Sequence, residues 1–518
     1  MSVASITFDK AAEKSGSRYR LLIMGCTMIA TLMQALDNTI ANVALPHMQG
    51  SLGASRDQIT WVLTSYVIAA AIMTAPVGWF AARFGRKEFF IACLAGFTIT
   101  SMACGLAQNL SQEVAFRFLQ GCFGAALVPL SQAIMLDIYP LEQRGTAMAI
   151  WGTGVMIGPI LGPTLGGWLT DAYDWRWVFF INVPFGIAAV AGLWLFFKER
   201  VRNAALRFDW LGFLALSLGL GAIQLVLDRG SSKDWFNSSE IIIEAALGGF
   251  GFYVFLVHMF TAEKPFIPPR LFKDMGFLSG FATMFVVGVV LLGSSALLPP
   301  YFQNLAGYSV TEVGLLMSPR GLGAMLVMIV AGRLTRVIDP RLLMGLGVVL
   351  IAGAMWDMTR WTPDIDVWRL SLVTMIQGAG ISFVFIPLQV VGFTTLEPAL
   401  RTDAAALYSL SRNIGSAIGV SATSSLLASS VQILHAQYAG QVTPFNRALQ
   451  YGAQGLFLGP STPFGAAAID AQVQHQALIA AYANDFMLMF WICLPLLPLL
   501  FFMRRPRGPS PSAQMAME

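Results

Sequence analysis

Apolar runs long enough to cross a lipid bilayer recur along the whole chain, and they constrain its fold more than any other feature. A helix needs about 20 predominantly apolar residues to span the hydrocarbon core. Of the 518 residues, 56% are hydrophobic and only 12% are charged, whereas a soluble domain carries roughly 25% charge. The runs predict fourteen membrane-spanning helices, at 21–45, 57–81, 88–107, 113–136, 144–170, 177–197, 209–227, 241–261, 277–302, 312–332, 341–357, 368–393, 402–430 and 483–503.

The basic residues predict which helix ends face the cytoplasm, because Lys and Arg concentrate in cytoplasmic loops. With the N-terminus in the cytoplasm, 22 of the 32 basic residues fall on the cytoplasmic side and seven on the other. The remaining three, Arg117, Arg320 and Arg412, lie at membrane depth. An even number of spans leaves both termini cytoplasmic. The first run is longer than a signal-peptide core and has no small-residue cleavage site, so we expect it to be retained.

The sequence gives little indication of a nucleic-acid-binding protein, an enzyme or a metal-binding protein. The net charge is only +4, and the basic residues sit at helix ends, which argues against a nucleic-acid partner. No GxxxxGK[ST] loop is present, so the sequence indicates no ATPase. No nucleophile–base constellation is evident either, so we do not expect an enzyme. The histidines and cysteines show no metal-ligand spacing. We therefore expect an all-α polytopic membrane protein with no cofactor and no metal.

A carboxylate lies in the middle of the first apolar run. An ionisable group at this depth costs a few kcal/mol or more and is usually kept for function. Burial and a nearby cation shift its affinity for a proton in opposite directions, so Asp37 could bind and release a proton as a cavity opens to each side. The alternative is an Asp at a helix end that reaches the interface. Helical spacing places further polar side chains near the same face, at Gln34, Asn38, Thr39 and Asn42.

Arg117, inside the fourth run, is the expected partner of Asp37. An arginine within the membrane is almost always paired. Glu113 lies one turn before Arg117 on the same helix and competes for it. We interpret Asp37 and Arg117 as the proton-coupling pair; the alternative is an ion pair that only locks two helices together.

The fifth run carries a glycine face. Glycines at every fourth position form a smooth surface that lets another helix approach closely, and prolines bend a helix. This pattern predicts a gate where two halves meet, although a static helix crossing would explain the glycines alone. The gating residues in this run are Gly154, Gly158, Pro159, Gly162, Pro163 and Gly166.

A basic turn between the second and third runs could latch a helix end at the cytoplasmic surface. Its predicted gating residues are Gly78, Arg83, Gly85 and Arg86. Taken alone this is a weak signal, since the preference for positive charge inside would produce a basic turn anyway.

Substrate-lining candidates are polar or aromatic residues at membrane depth. Each of them could instead serve packing or a hydrogen bond between helices. The positive charges of Arg320 and Arg412 could favour anionic or weak-acid substrates, although carbonyls near Pro319 could satisfy Arg320. The candidates are Gln34, Asn38, Asn42, Trp61, Tyr66, Gln377, Gln389, Asn413, Arg320 and Arg412.

Several of these segments together resemble the motifs of the major facilitator superfamily, in its fourteen-helix drug:proton antiporter branch. The resembling segments are Leu36–Pro46, residues 78–87, Arg117 with Gln120 and Gly121, residues 152–167 and residues 175–184. Residues 227–236 and 435–446 resemble the inner-membrane pumps of tripartite efflux systems. Ala82 stands where the family usually has an acid, which puts a latch that uses this carboxylate in doubt.

The resemblance implies a major facilitator fold of two six-helix bundles with two additional helices between them. The expected division is 1–20 (N-terminal tail), 21–200 (first bundle), 201–265 (two linker helices), 266–503 (second bundle) and 504–518 (C-terminal tail). The second bundle would include a long periplasmic loop, 431–481, which is either a solvated spacer or a docking surface.

The same resemblance implies a function in the bacterial inner membrane: export of small amphipathic drugs in exchange for protons by alternating access. A periplasmic membrane-fusion adaptor and an outer-membrane channel would be its partners. Two alternatives stay open, namely an exporter of a specific metabolite, lipid or siderophore, and a membrane receptor without turnover.

Overall fold

The computed structural model describes residues 16–198, 206–263, 265–335, 337–393, 396–397, 400–442 and 463–503. Throughout these ranges the regular secondary structure is helical. Every predicted apolar run coincides with one helix or with two or three consecutive helices, because such runs favour backbone hydrogen bonds made within the segment.

The first part of the chain contains ten helices among the described residues. They are α1 (Gly16–Ser51), α2 (Arg56–Ile59), α3 (Trp61–Thr74), α4 (Val77–Phe84), α5 (Arg86–Gly105), α6 (Leu110–Gly124), α7 (Leu127–Ile138), α8 (Leu141–Ala172), α9 (Trp177–Phe180) and α10 (Asn182–Phe196).

Within the described ranges, two α-helices follow in the linker region and seven in the second part. They are α11 (Trp210–Arg229), α12 (Ser239–Thr261), α13 (Met275–Pro300), α14 (Val310–Leu334), α15 (Pro340–Met358), α16 (Val367–Val391), α17 (Arg401–Ala439), α18 (Pro463–Cys493) and α19 (Leu496–Leu499). A π-helical turn, Tyr301–Leu305, extends α13.

Twelve segments of the described chain are long and apolar enough to cross a membrane. A thirteenth is formed by α3 and α4 together, which are bent by 58° at Pro76, where the backbone lacks an N–H donor. The remaining predicted span, 144–170, corresponds to the glycine-rich helix α8, which has 32 residues and lies outside this set of segments. Fourteen crossings and cytoplasmic termini therefore stay predictions.

The two halves repeat one packing arrangement. In the first half α1 packs along α8, and in the second half α13 packs along α17. The halves join where α8 meets α14 and α16, and where α17 meets α4 and α7. The linker helices α11 and α12 pair with each other, and α11 also packs on α3 and α17, so the linker touches both halves.

Two helices continue well beyond their predicted apolar runs. The 39 residues of α17 correspond to about 58 Å at 1.5 Å per residue, almost twice the roughly 30 Å hydrocarbon core. Likewise α18 begins at Pro463, before the predicted span at 483. The described parts of the predicted loop 431–481 are thus largely helical, because Ala and Gln favour helices without being apolar enough for a span. Residues 443–462 lie outside the described ranges.

We call residues 431–439 and 463–482 the outer hairpin. Its two helical arms are linked by a contact of 2.9 Å between His435 Nε2 and Asp470 Oδ1. Large apolar side chains on both arms are exposed, including Ile433 and Phe464.

Candidate functional site

Asp37 lies in the middle of α1, inside the first half. The apolar residues on either side keep α1 helical through the membrane, and the packing of α10 and α8 against α1 removes Asp37 from solvent. Its side chain is fully buried, with 0% exposure. A buried carboxylate is stable only when it is paired and hydrogen-bonded.

Arg117 on α6 supplies that partner. Its Nη1 donates to Asp37 Oδ2 at 2.6 Å, and the Arg117 side chain is only 1% exposed. Its Nε donates to the carbonyl of Val62 at 3.2 Å, and the ring of Tyr66 lies 4.3 Å from the guanidinium carbon. The structure therefore brings together the two charges that the sequence predicts to pair.

Two amides complete the environment of Asp37, and the sequence did not predict their role. Gln120 Nε2 donates to Asp37 Oδ1 at 2.9 Å, while Gln120 Oε1 accepts from Arg117 Nη1 at 2.7 Å. Asn182 at the start of α10 donates to Asp37 Oδ1 at 3.3 Å and to Ser101 Oγ at 3.0 Å. The signal for Gln120 was its position three residues after Arg117, on the same helix face.

Glu113, the predicted competitor, takes a different place. It is fully buried on α6, and neither of its carboxylate oxygens has a hydrogen-bond partner within the described chain. Among the described residues it also forms no ion pair, since Arg117 points to Asp37 instead. In this conformation Arg117 therefore pairs with Asp37 and not with Glu113.

The substrate candidates of the first half separate into three places. Tyr66 is buried against Arg117, beside Gln34. Asn38 and Asn42 are exposed on α1. Trp61 lines an apolar groove of about 740 Å³ between α3 and α6, where Arg229 of α11 lies 5.8 Å from its ring centroid.

In the second half, Arg320 on α14 organises a polar cluster with α13 and α16. Its Nη1 donates to Ser295 Oγ at 2.8 Å, and its Nη2 donates to the Leu291 carbonyl at 3.0 Å and to Ser294 Oγ at 3.1 Å. Gln377 Nε2 also donates to Ser294 Oγ, at 2.8 Å. The carbonyl that accepts from Arg320 therefore belongs to Leu291 of α13 and not to a residue near Pro319.

The other candidates of the second half lie outside this cluster. Gln389 is buried, and its amide atoms have no partner among the described residues. Arg412 and Asn413 are half-buried on α17. No carboxylate lies within ion-pair distance of Arg320 or Arg412 in the described part of the chain.

The glycine face of α8 packs against α1. A side chain at Gly158 would come within 2.6 Å of Ala35 Cβ, and one at Gly166 within 2.8 Å of Ile40. Gly154 and Gly162 similarly face Met28 and Thr39, while Pro159 and Pro163 lie within the same helix. The face thus lets α8 approach the helix that carries Asp37, which differs from the expected contact between halves.

Contacts between the halves come from other residues of α8. Gly145 lies against Gly332 of α14 and against Thr335, which directly follows α14, and Gly152 lies against Met328 of α14. Trp151 stacks on Phe385 of α16 with ring centroids 6.5 Å apart. All these contacts involve the part of α8 nearest its N-terminus.

The predicted latch turn lies at the same end, which we call the basic end. Asp137 at the end of α7 pairs with Arg86 and, at 2.7 Å, with Arg401 of the second half. Gly78 is in close contact with Asp403 of α17, so no larger residue fits there. The carboxylates near the predicted latch turn are therefore Asp137 of α7 and Asp403 of α17. Ala82, which stands where the family usually has an acid, is exposed.

Of the remaining latch candidates, Gly85 has a positive φ of 97°, a conformation that favours glycine and allows the sharp passage from α4 to α5. Arg83 is half-buried. The named contacts between the halves thus gather at the basic end, whereas Asn38 and Asn42, further from it, are exposed. This is the arrangement of a two-bundle protein closed at its basic end.

Comparison with known proteins agrees with this architecture. The family model described as Major Facilitator Superfamily matches residues 27–420. Among solved structures, the proton:xylose symporter XylE has a TM-score of 0.59 at 13% identity, covering 97% of this chain and 99% of that one. The human organic anion transporter MFSD10 has the same TM-score at 14% identity, covering 92% and 99%. At such identities the likeness shows the fold alone.

Proteins found by sequence comparison have higher sequence identity to this chain than these solved structures. The multidrug export protein EmrB of Escherichia coli K12 is 34% identical over 94% of this chain and 96% of its own length. The fatty acid resistance protein FarB of Neisseria gonorrhoeae is 35% identical over 83% and 85%. The multidrug resistance protein EmrY of Escherichia coli K12 is named only as a probable one, and it is 32% identical over 92% of this chain and 94% of its own length. The chain therefore belongs to the major facilitator superfamily.

Proposed function

We propose that this chain is a multidrug efflux transporter of the bacterial inner membrane, which exchanges protons for small amphipathic compounds. Relatives named as multidrug export proteins support the efflux of drugs. The observation that carries proton coupling is the pairing of Asp37 with Arg117, fully buried in apolar helices. A charge pair at this depth is costly to keep unless it serves a function.

Coupling follows from the chemistry of this pair. When Asp37 takes up a proton, its attraction to the Arg117 guanidinium falls, and the amides of Gln120 and Asn182 must adjust to a neutral carboxyl group. The closely packed α1 and α8 can then shift together relative to the second half. Release of the proton to the other side restores the pair. Binding sites of such transporters lie between the repeats near the membrane midplane.

The experiment uses proteoliposomes with an imposed pH gradient and a panel of dyes, weak acids and lipophilic cations. We expect the wild-type protein to accumulate substrate against its gradient and Asp37→Asn to lose this accumulation. The matched control is Asp171→Asn, at an exposed carboxylate in the same half, which should transport normally. Accumulation by Asp37→Asn at the wild-type rate would contradict proton coupling through this residue.

Partnership with a periplasmic adaptor and an outer-membrane channel is part of the proposal, and the outer hairpin supports it. The hairpin extends beyond the membrane length on the side opposite the basic end and exposes apolar residues. Surfaces of this kind frequently bind other proteins. We expect the double variant Ile433→Ser/Phe464→Ser, which removes exposed apolar side chains from both arms of the hairpin, to leave transport in proteoliposomes unchanged and to lower drug resistance of whole cells. Unchanged resistance would argue against docking through this region.

A further inference from the structure

Glu113 is a buried carboxyl group that the mechanism above does not use. Its side chain is 0% exposed and both of its oxygens lack a partner among the described residues. An ionised carboxylate in such a place would be uncompensated, so in this conformation the group is best accommodated with a proton attached. It lies one helical turn from Arg117, the cation of the coupling pair.

The position of Glu113 along the helix places it between the pair and one end of the molecule. The continuous segment from α6 to α7 runs from Leu110 to Ile138, and Asp137 marks the basic end. Glu113, four residues before Arg117, is therefore about 6 Å further toward the opposite end at 1.5 Å per residue. That end lies opposite the contacts between the halves named above, which involve Asp137, Gly145 and Trp151.

Four charged or titratable groups surround Glu113. They are Arg117 on its own helix, Asp37 on α1, Cys104 on α5 and Arg176 just before α9. Arg176 is already bound to Asp174 and to the carbonyl of Ala107. Arg117 is therefore the cation that can serve either carboxylate, because it lies one helical turn from Glu113 and in contact with Asp37.

We propose that Glu113 is a second proton-carrying residue, which receives a proton from the side opposite the basic end and passes it to Asp37. In this step the O–H bond of Glu113 breaks and an O–H bond forms on Asp37. The negative charge moves to Glu113, and the Arg117 guanidinium turns from Asp37 to Glu113, so the total charge is unchanged. A new proton from solvent then neutralises Glu113 and frees Arg117 again.

This inference rests on the proposed proton coupling and makes a distinct prediction. If Glu113 only delivers protons, Glu113→Gln should slow steps that need net proton movement and spare steps that do not. The wild-type protein and Glu113→Gln are compared in proteoliposomes by efflux driven by a pH gradient and by substrate–substrate exchange at equal pH. We expect driven efflux to fall about a hundredfold or more, as for loss of a proton-transfer group, with exchange unchanged.

Two variants serve as controls. Glu113→Asp keeps a carboxyl group and should recover part of the driven efflux and its dependence on external pH. Glu240→Gln removes a carboxylate that is 46% exposed and should leave both assays unchanged. Wild-type efflux by Glu113→Gln, or equal loss of efflux and exchange in a protein that still unfolds at the wild-type temperature, would overturn the relay. If the wild-type protein itself shows no proton-driven efflux, the proposed function fails first.

Discussion

Arg117 is held by contacts that no other side chain can reproduce together. Its guanidinium donates to a carboxylate, to an amide oxygen and to a backbone carbonyl while it lies over the Tyr66 ring. A lysine offers a single point charge without the planar fork of arginine. The position of the Asp37 carboxylate therefore depends on the planar shape of the Arg117 guanidinium as well as on its positive charge.

We expect Arg117→Ala to destabilise the protein by about 3–5 kcal/mol, because it leaves the buried Asp37 carboxylate without its counter-charge. The double variant Asp37→Asn/Arg117→Gln removes both charges and should recover much of this stability while remaining unable to couple protons. Thermal unfolding in detergent measures the effect. If the double variant were as unstable as Arg117→Ala, the pair would not be the main source of the loss.

Arg320 should influence which substrates are exported, because no carboxylate neutralises it in the described residues. Its charge-assisted hydrogen bonds are worth about 1.5–3 kcal/mol each, so one bond to an anionic substrate corresponds to roughly a 10- to 100-fold preference. We predict that Arg320→Gln weakens transport of weak acids far more than transport of lipophilic cations. The control Arg360→Gln removes an exposed charge beside Trp356. An equal loss for both substrate classes would contradict this prediction.

At the level of helices, the contact of α8 with α1 sets how closely the backbone around Asp37 is held. We expect Gly158→Ala to reduce stability and transport, because its methyl group would lie 2.6 Å from Ala35 Cβ, too close for two carbon atoms. Gly167→Ala is the matched control, since its methyl group would meet only Val43 at 4.0 Å. Both are compared by unfolding temperature and by dye efflux; equal tolerance of both changes would show that the close approach is dispensable.

The sequence predicts the helices and the central pair for clear physical reasons. A charge within an apolar run must find a partner, and few candidates exist for Asp37 and Arg117. Neutral amides give no such signal, so the roles of Gln120 and Asn182 depended on which helices pack together. The outer hairpin was missed because hydropathy falls at the membrane surface while the helices continue. The partner of the α8 glycine face could likewise not be predicted, since a smooth face fits any helix.

For the whole molecule, Asp137 joins the two halves at the basic end by pairing with Arg86 of the first half and Arg401 of the second. We predict that Asp137→Asn shifts the population toward conformers open at this end. Spin labels at Ala82→Cys and Glu397→Cys, both exposed positions, should then report a longer mean distance. Asp357→Asn, which breaks the remote pair with Arg369, is the control. An unchanged distance in Asp137→Asn would mean that apolar contacts alone hold the halves closed.

The central claim is that substrate and proton act on one buried pair, and the most direct test is proton release on substrate binding. Purified protein in weakly buffered detergent solution is mixed with substrate, and the pH change is recorded for the wild type, Asp37→Asn and Asp171→Asn. The account predicts proton release from the wild type and from Asp171→Asn, and none from Asp37→Asn. Equal release from all three proteins would contradict it and would assign the coupled proton to another group.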